Sequence, residues 1–344
     1  MRQNHVISRC VVLALSLCAM RATTAADQRT YSAGRFSLDL NGERLLVNTV
    51  EGGAAVGVVA ANGTDKSIAG VKCEDITFSI PLANLPKPVT DALEGKPASI
   101  NGGIDYLDFN YKGQRRVGFK DASVVAVRFP ALDGSSKEAA TVEVTLAPQE
   151  TREEPASGDV KAGATVKQKA ALRSAFRVSI PGVHAERVAT VSAIEVRAKR
   201  VEGAAGTERA PAKSQSGMEI PNIKLTMSPA DLKEWQQWLE KSLEDRGSKQ
   251  EKTMRVEFLD PSMKNPVAAI DLSGVGIVAI RRPKAEANSE QIARVEIELY
   301  AEQLKFNPGG GATATAAPEQ PKEAAPADAP KSEAVIDRPI RRAR

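Results

Sequence analysis

The chain has 344 residues, of which 42% are hydrophobic, 26% charged and only 4% aromatic, a length and mix that suit two soluble domains of ordinary size. Scarce aromatics leave the cores to Val, Ile, Leu and Ala and argue against broad base-stacking or sugar-stacking platforms. A formal net charge of +4 is small for this length and argues against nucleic-acid binding, which concentrates basic residues on one face.

Residues 1–26 read as an export signal: Arg2 and Arg9 precede the apolar run "CVVLALSLCAM", and "RATTAA" supplies small residues for cleavage near Ala25 or Ala26. Export would place the protein in the periplasm or outside the cell; without it the chain would be cytoplasmic or part of a virion-like particle. The run is too short to span a bilayer, so no transmembrane span is expected in the mature chain. Cys10 and Cys18 fall inside this segment, leaving Cys73 alone and excluding an intramolecular disulfide.

A first β domain is expected over residues 30–149. It opens with "GRFSLDLNGERLLVNTVEGG", where Phe36, Leu38 and Leu40 alternate with polar residues as in a half-buried strand. Asn41 and Gly42 then supply hairpin-turn chemistry. Downstream, "DITFSIPLANL" (75–85) reads as a strand entering a helix that Pro86 and Pro88 shorten or displace. "VAVRFP" (125–130) and the strand "VEVTLA" (142–147) close the block. Residues 150–171 are polar, contain Pro and Gly and lack an apolar period, so they read as a linker.

A second β domain over residues 172–307 repeats this plan. Phe176, Val178 and Ile180 alternate before a Pro181-Gly182 turn, and "VATV" (188–191) answers "VNTV" (47–50). "NIKLTMSPADL" (222–232) answers "DITFSIPLANL". Ser228 suits an N-cap with Pro229 in the first turn, and Leu232, Trp235, Leu239 and Leu243 share one helical face with Trp235 toward the core. "VAIRRP" (278–283) follows "VAVRFP" by 153 positions (278 − 125), and "VEIELY" (295–300) follows "VEVTLA" at the same offset. Recurrence in one order predicts an internal duplication, each copy antiparallel β with one short helix. The expected fold class is mainly β: two tandem small β-barrel or sandwich domains, and a disordered Ala/Pro/Glu/Lys-rich tail over 308–344.

Residues that could carry chemistry are sparse. His184, the single histidine after residue 26, sits in a turn, and without a second histidine or a cysteine cluster no ordinary zinc site is expected. "DLNGE" at Asp39 lacks the carboxylates of a calcium loop and reads as a hairpin turn. No nucleophile elbow, phosphate loop or dinucleotide fingerprint occurs. The expectation is a non-enzymatic protein with no catalytic, cofactor-binding or metal residues and no cofactor. Arg115/Arg116 and Arg281/Arg282, with a basic terminus at Arg338, Arg341, Arg342 and Arg344, suit solvated strand ends or docking on an acidic surface or anionic lipid. Glu143 and Thr145, like Glu296 and Glu298, put polar groups on one face of strands whose other face is aliphatic, as in a sandwich, a barrel or the wall of an aqueous bore.

These segments resemble the tail-tube proteins of contractile phage tails and contractile injection systems. The similarity lies in "GRFSLDLNGERLLVNTVEGG", in "AGVKCEDITFSI" (69–80), in the tryptophan helix "MSPADLKEWQQWLEKSL" and in "RVEIELYAEQLKF". The resemblance implies a small β domain with one helix whose copies form a ring of six domains around a channel and stack into a tube. With two domains per chain, it implies a self-associating trimer making a pseudo-hexameric ring, with other tail or envelope proteins as further partners. The polar segment 203–217 suits the family's assembly loop or an ordinary surface loop. An export signal departs from that family, and the alternative expectation is an exported periplasmic or surface binding module that keeps the fold without tube assembly.

Overall fold

A computed structural model describes residues 34–62, 64–96, 99–156, 158, 171–200, 215–245, 250–282 and 294–309. The export signal, the tail beyond residue 309, most of segment 203–217 and Pro283 lie outside the described residues. The first block comprises β1 (Arg35–Leu40), β2 (Glu43–Val47), β3 (Thr49–Gly52), β4 (Ala55–Asn62), β5 (Asp65–Cys73), β6 (Ile76–Pro81), α1 (Lys87–Leu93), β7 (Ile100–Leu107), β8 (Gly113–Phe129), β9 (Leu132–Asp133), β10 (Thr141–Ala147) and β11 (Glu150–Glu154). The second comprises β12 (Phe176–Ser179), β13 (Val188–Val191), β14 (Ile194–Arg200), β15 (Gln215–Glu219), β16 (Ile223–Met227), α2 (Lys233–Glu244), β17 (Lys252–Leu259), β18 (Pro266–Arg281), β19 (Val295–Tyr300) and β20 (Gln303–Pro308). The protein is mainly β, as expected. The stretch read as a linker begins with a strand, β11, which pairs antiparallel with β8 from Glu150 opposite Lys120 to Glu154 opposite Arg116.

Each block lays its strands in two antiparallel sheets that share one long strand. In the first, β2-β1-β7-β8-β11 form one sheet and β3-β6-β10-β8 the other. In the second, β12-β17-β18-β20 and β13-β16-β19-β18 follow the same order. The shared strand changes sheet at a residue in the left-handed region: Asp121 (φ 48°) in β8 and Gly274 (φ 61°) in β18, 153 positions apart (274 − 121). Asp121 tolerates this conformation because its amide donates to Asn101 Oδ1 (3.0 Å) and its carboxylate accepts from Ser99 Oγ (2.8 Å). Gly274 has no such support and needs none. Gly274→Ala is expected to cost at least about 1–2 kcal/mol, the penalty for a Cβ in left-handed backbone, because that Cβ would also come within 2.7 Å of Glu302; the cost is read as a lower urea midpoint at unchanged slope.

The two hexapeptides sit just beyond these switches. Val124 and Ala126 pair with Leu146 and Thr145, so Val125 bulges from the ladder; Ile277 and Ala279 pair with Leu299 and Glu298, so Val278 bulges in the same place. A bulge inserts one unpaired residue and bends the strand, which explains why the repeat begins with a valine that makes no ladder bond. Phe129 ends β8 and Pro130 follows it, where proline stops the ladder. One more strand follows the pair β10 and β19 in each block than the sequence pattern suggested, because the short β11 and β20 add to the far side of β8 and β18.

Local chemistry accounts for the turns and helices. Asn41 (φ 53°) and Gly42 (φ 90°) form the two-residue turn that matches strand twist, and Gly42 N–H donates to Asp39 Oδ1 at 2.8 Å. Pro86 stands at the N-cap of α1 and Pro88 in its first turn, where a missing N–H costs nothing. Ser228 caps a short 3-10 turn, Pro229–Asp231, by accepting from Ala230 N–H, and α2 starts after it. Trp235 and Trp238 are both buried, with Leu232 beside them. Leu243, placed on the core face by its spacing, is instead exposed one residue before the helix ends; the apolar stripe stops at Leu239, which is half-buried against the core.

Both blocks hold an arginine–carboxylate cluster between β7 or β17 and the first half of the long strand. In the first, Arg116 bonds to Asp105 (2.8 Å) and Glu154 (3.0 Å) and lies 3.6 Å from Asp39, with Asp105 wholly buried. In the second, Arg255 bonds to Glu257 (3.1 Å) and Asp271 (2.8 Å), and Asn307 donates to Asp271 (2.6 Å). The ladders place Arg255 where Gly103 stands and Ala269 where Arg116 stands. A Cβ on Gly103 would come within 2.7 Å of the Arg116 guanidinium. Each block thus supplies one arginine from opposite sides of the same strand pair, and removing the glycine would evict it.

Candidate assembly interface

The residues singled out for chemistry do not converge. His184 is exposed in its turn, 3.5 Å from Glu234 and 3.7 Å from Glu186, and its backbone carbonyl accepts the Trp235 indole N–H at 3.1 Å. Cys73 Sγ lies 3.6 Å from Thr151 Oγ1. Among the described residues, no group of His, Cys, Asp and Glu could hold a metal ion, and no helix is long and apolar enough to cross a membrane. The arginine pairs split: Arg116 is half-buried in its cluster while Arg115 pairs with Glu153 at the surface, and Arg281 pairs with Glu298 while Arg282 is exposed.

What the fold does bring together is a seam between the blocks. β14 of the second block adds antiparallel to the free side of β8, with Ile194 opposite Phe129, Glu195 opposite Arg128, Val196 opposite Val127 and Arg197 opposite Ala126. In return, β9 of the first block adds to β13, Leu132 opposite Val191 and Asp133 opposite Thr190. Val127, Phe129, Leu132, Ile194 and Val196 are all buried along this line. Phe129 stacks on Phe306 of β20 with ring centroids 5.5 Å apart and planes at 29°, and α1 packs against β20 beside them. Sequence alternation identified these strands, but the exchange of edges depends on which ladder is left open, and no local pattern encodes that.

The sheets that meet at the seam have one aliphatic and one polar face. Ile76, Phe78, Val142, Val144, Leu225, Ile297 and Leu299 are buried on the first. On the second, Thr49 bonds Ser79 and Thr190 bonds Thr226, each at 2.6 Å and at equal ladder positions. Thr77 bonds Thr145 (3.1 Å), Lys224 pairs with Glu296 (3.1 Å), and Asn222 donates to Glu298 (2.8 Å). The Asn222 hydrogen bond, then Arg281, holds the Glu298 carboxyl below its ordinary range. This face is therefore polar and cross-linked by hydrogen bonds and ion pairs, in keeping with the placement of Glu143, Thr145, Glu296 and Glu298 on it.

One surface hairpin stands apart from the larger sheets. Among the described residues, β4 and β5 pair only with each other, as a two-stranded sheet. Val56, Val58, Val59, Ile68 and Val71 stand between 42% and 72% exposed along them, half of the large apolar side chains exposed among the described residues. A long apolar hairpin with open edges is a template for strand addition.

Comparison with known proteins places the second block. No curated protein sequence matches the chain. Among solved structures, similar chains occur in the cap of the anti-feeding prophage, which terminates its tube (15% identity, 43% of this chain and 96% of that one, TM-score 0.35). Others occur in the anti-feeding prophage baseplate (14%, 42% and 97%, TM-score 0.30) and in the sheath–tube complex of an extracellular contractile injection system (19%, 43% and 94%, TM-score 0.32). Residues 173–305, which span the second block from before β12 into β20, match the family model of the T4-like virus tail tube protein gp19, and over that block the resemblance read from the sequence is borne out.

Proposed function

We propose that this chain is a non-enzymatic structural protein of the tail-tube kind, in which two copies of one fold, related by internal duplication, assemble into rings or tubes. The observation that supports it is the seam: one block already completes the other's sheet by strand addition, the operation by which repeated domains extend a wall. The family match over residues 173–305 supports the tube-like character of the second block. Equal strand order, equal bulges at Val125 and Val278 and equal sheet switches at Asp121 and Gly274 support a common origin for both. The polar face is the one suited to a water-filled bore. Blocks 30–149 and 172–307 serve as the ring modules, three chains supplying six, and residues 1–26 direct the chain out of the cytoplasm.

Light scattering and negative-stain electron microscopy of the purified chain test this reading. Rings with a central hole are expected, populated increasingly with concentration. A strict monomer at high concentration would instead favour a binding module that keeps the fold alone.

A further inference from the structure

The seam inside the chain has two halves, and each half recurs once without its mate. Its accepting half is the free side of β8 ending in Phe129; the equal positions in the second block are residues 279–281 of β18, followed by Arg282, and no described strand pairs there. The consequence is visible in burial: Val127, covered by β14, is wholly buried, whereas its counterpart Ile280 is half-buried and the bulge residue Val278 is exposed. Its donating half is the β14–β15 hairpin that follows β13. In the first block β3 holds the position of β13, at the end of its sheet, and β4–β5 is the hairpin that follows it, apolar and exposed.

The aromatic stack across the seam changes in a correlated way. Phe129 occupies the position of Arg282. Phe306, opposite Ile270 in the ladder, occupies the position of Glu153, opposite Val117. Within the chain the pair is Phe with Phe; at the two unmatched halves it is Arg with Glu, both exposed. Glu153 is held by Arg115, and a carboxylate can accept from two guanidinium groups. A surface that is apolar when satisfied inside one chain has become a complementary pair of charges where it waits in water, which steers docking and rejects wrong partners.

We propose that a second copy of this chain is the partner for both halves: the β18 edge at residues 279–281 receives the β4–β5 hairpin of the next chain, the counterpart of β14–β15, with Arg282 meeting the Glu153 carboxylate of that chain. This contact rests on the ring reading above and gives it a head-to-tail geometry. A heterologous contact of this kind closes into a ring where the rotation allows and otherwise runs on as a filament.

Charge reversal tests it by analytical ultracentrifugation of the full chain. Arg282→Glu and Glu153→Arg alone are each expected to raise the concentration at half-assembly at least about tenfold, and the double variant is expected to restore it. Ile68→Lys with Val71→Lys, in the exposed hairpin, is expected to weaken assembly without lowering the unfolding midpoint. Assembly of all these variants as tightly as the wild type would overturn the contact while leaving the ring intact. A wild-type chain that stays monomeric would end both the contact and the ring reading.

Discussion

Phe129→Ala should lower the stability of the chain by about 3–5 kcal/mol, the cost of emptying a buried aromatic site, measured by urea unfolding. Phe129 is wholly buried, ends β8, faces Ile194 across the added strand and stacks on Phe306. Truncation therefore removes contacts on both sides of the seam at once, and aromatic pairing adds about 0.5–1.5 kcal/mol beyond area. The surroundings relax little, because the flanking positions are fixed by backbone ladders from both blocks. A loss under about 1 kcal/mol would show that the blocks merely touch. The counterpart Arg282 is exposed, so removing it should leave the unfolding midpoint of the isolated chain where it was.

Trp235→Ala is the second large expectation, again about 3–5 kcal/mol. Its indole is wholly buried, 6.0 Å from the Trp238 ring, and its N–H donates to the His184 carbonyl. That bond ties α2 to the turn after β12, so the cavity also frees a loop and leaves a carbonyl without its donor. Trp238 is anchored separately, through Gln250 O at 2.8 Å and the ammonium of Lys252 5.5 Å from its ring. Trp238→Ala should therefore loosen the path into β17 more than the helix itself. Unfolding of both variants, followed by near-ultraviolet circular dichroism, separates the two roles.

Much of this architecture could be read from short-range chemistry. Alternation in "FSLDL" and "VEVTLA" reports a sheet with one dry face, and Asn41-Gly42 encodes its own turn because both residues tolerate positive φ. The correspondence of "VAVRFP" with "VAIRRP" was legible as likeness, and the ladders add its cause: each begins on a bulge that bends a long strand beyond its sheet switch. Other features depend on partners distant in sequence. Leu243 fits the helical period but finds nothing to cover it, since burial belongs to the neighbours as much as to the spacing. β11, written "ETREE", has no apolar period at all and is a strand because β8 offers it an open edge and Arg115 and Arg116 offer it partners. The seam was not legible at all: Phe129 against Arg282 takes its meaning from the ladders, which put Phe306 and Glu153 at matching positions across it.

Native mass spectrometry of the purified chain tests the central claim most directly. A chain whose unmatched halves fit each other should appear as one closed species of three chains, six blocks in all, with dimers as minor intermediates. A population that remains monomeric at every concentration would contradict it, because both halves of the seam would then be surfaces without a mate.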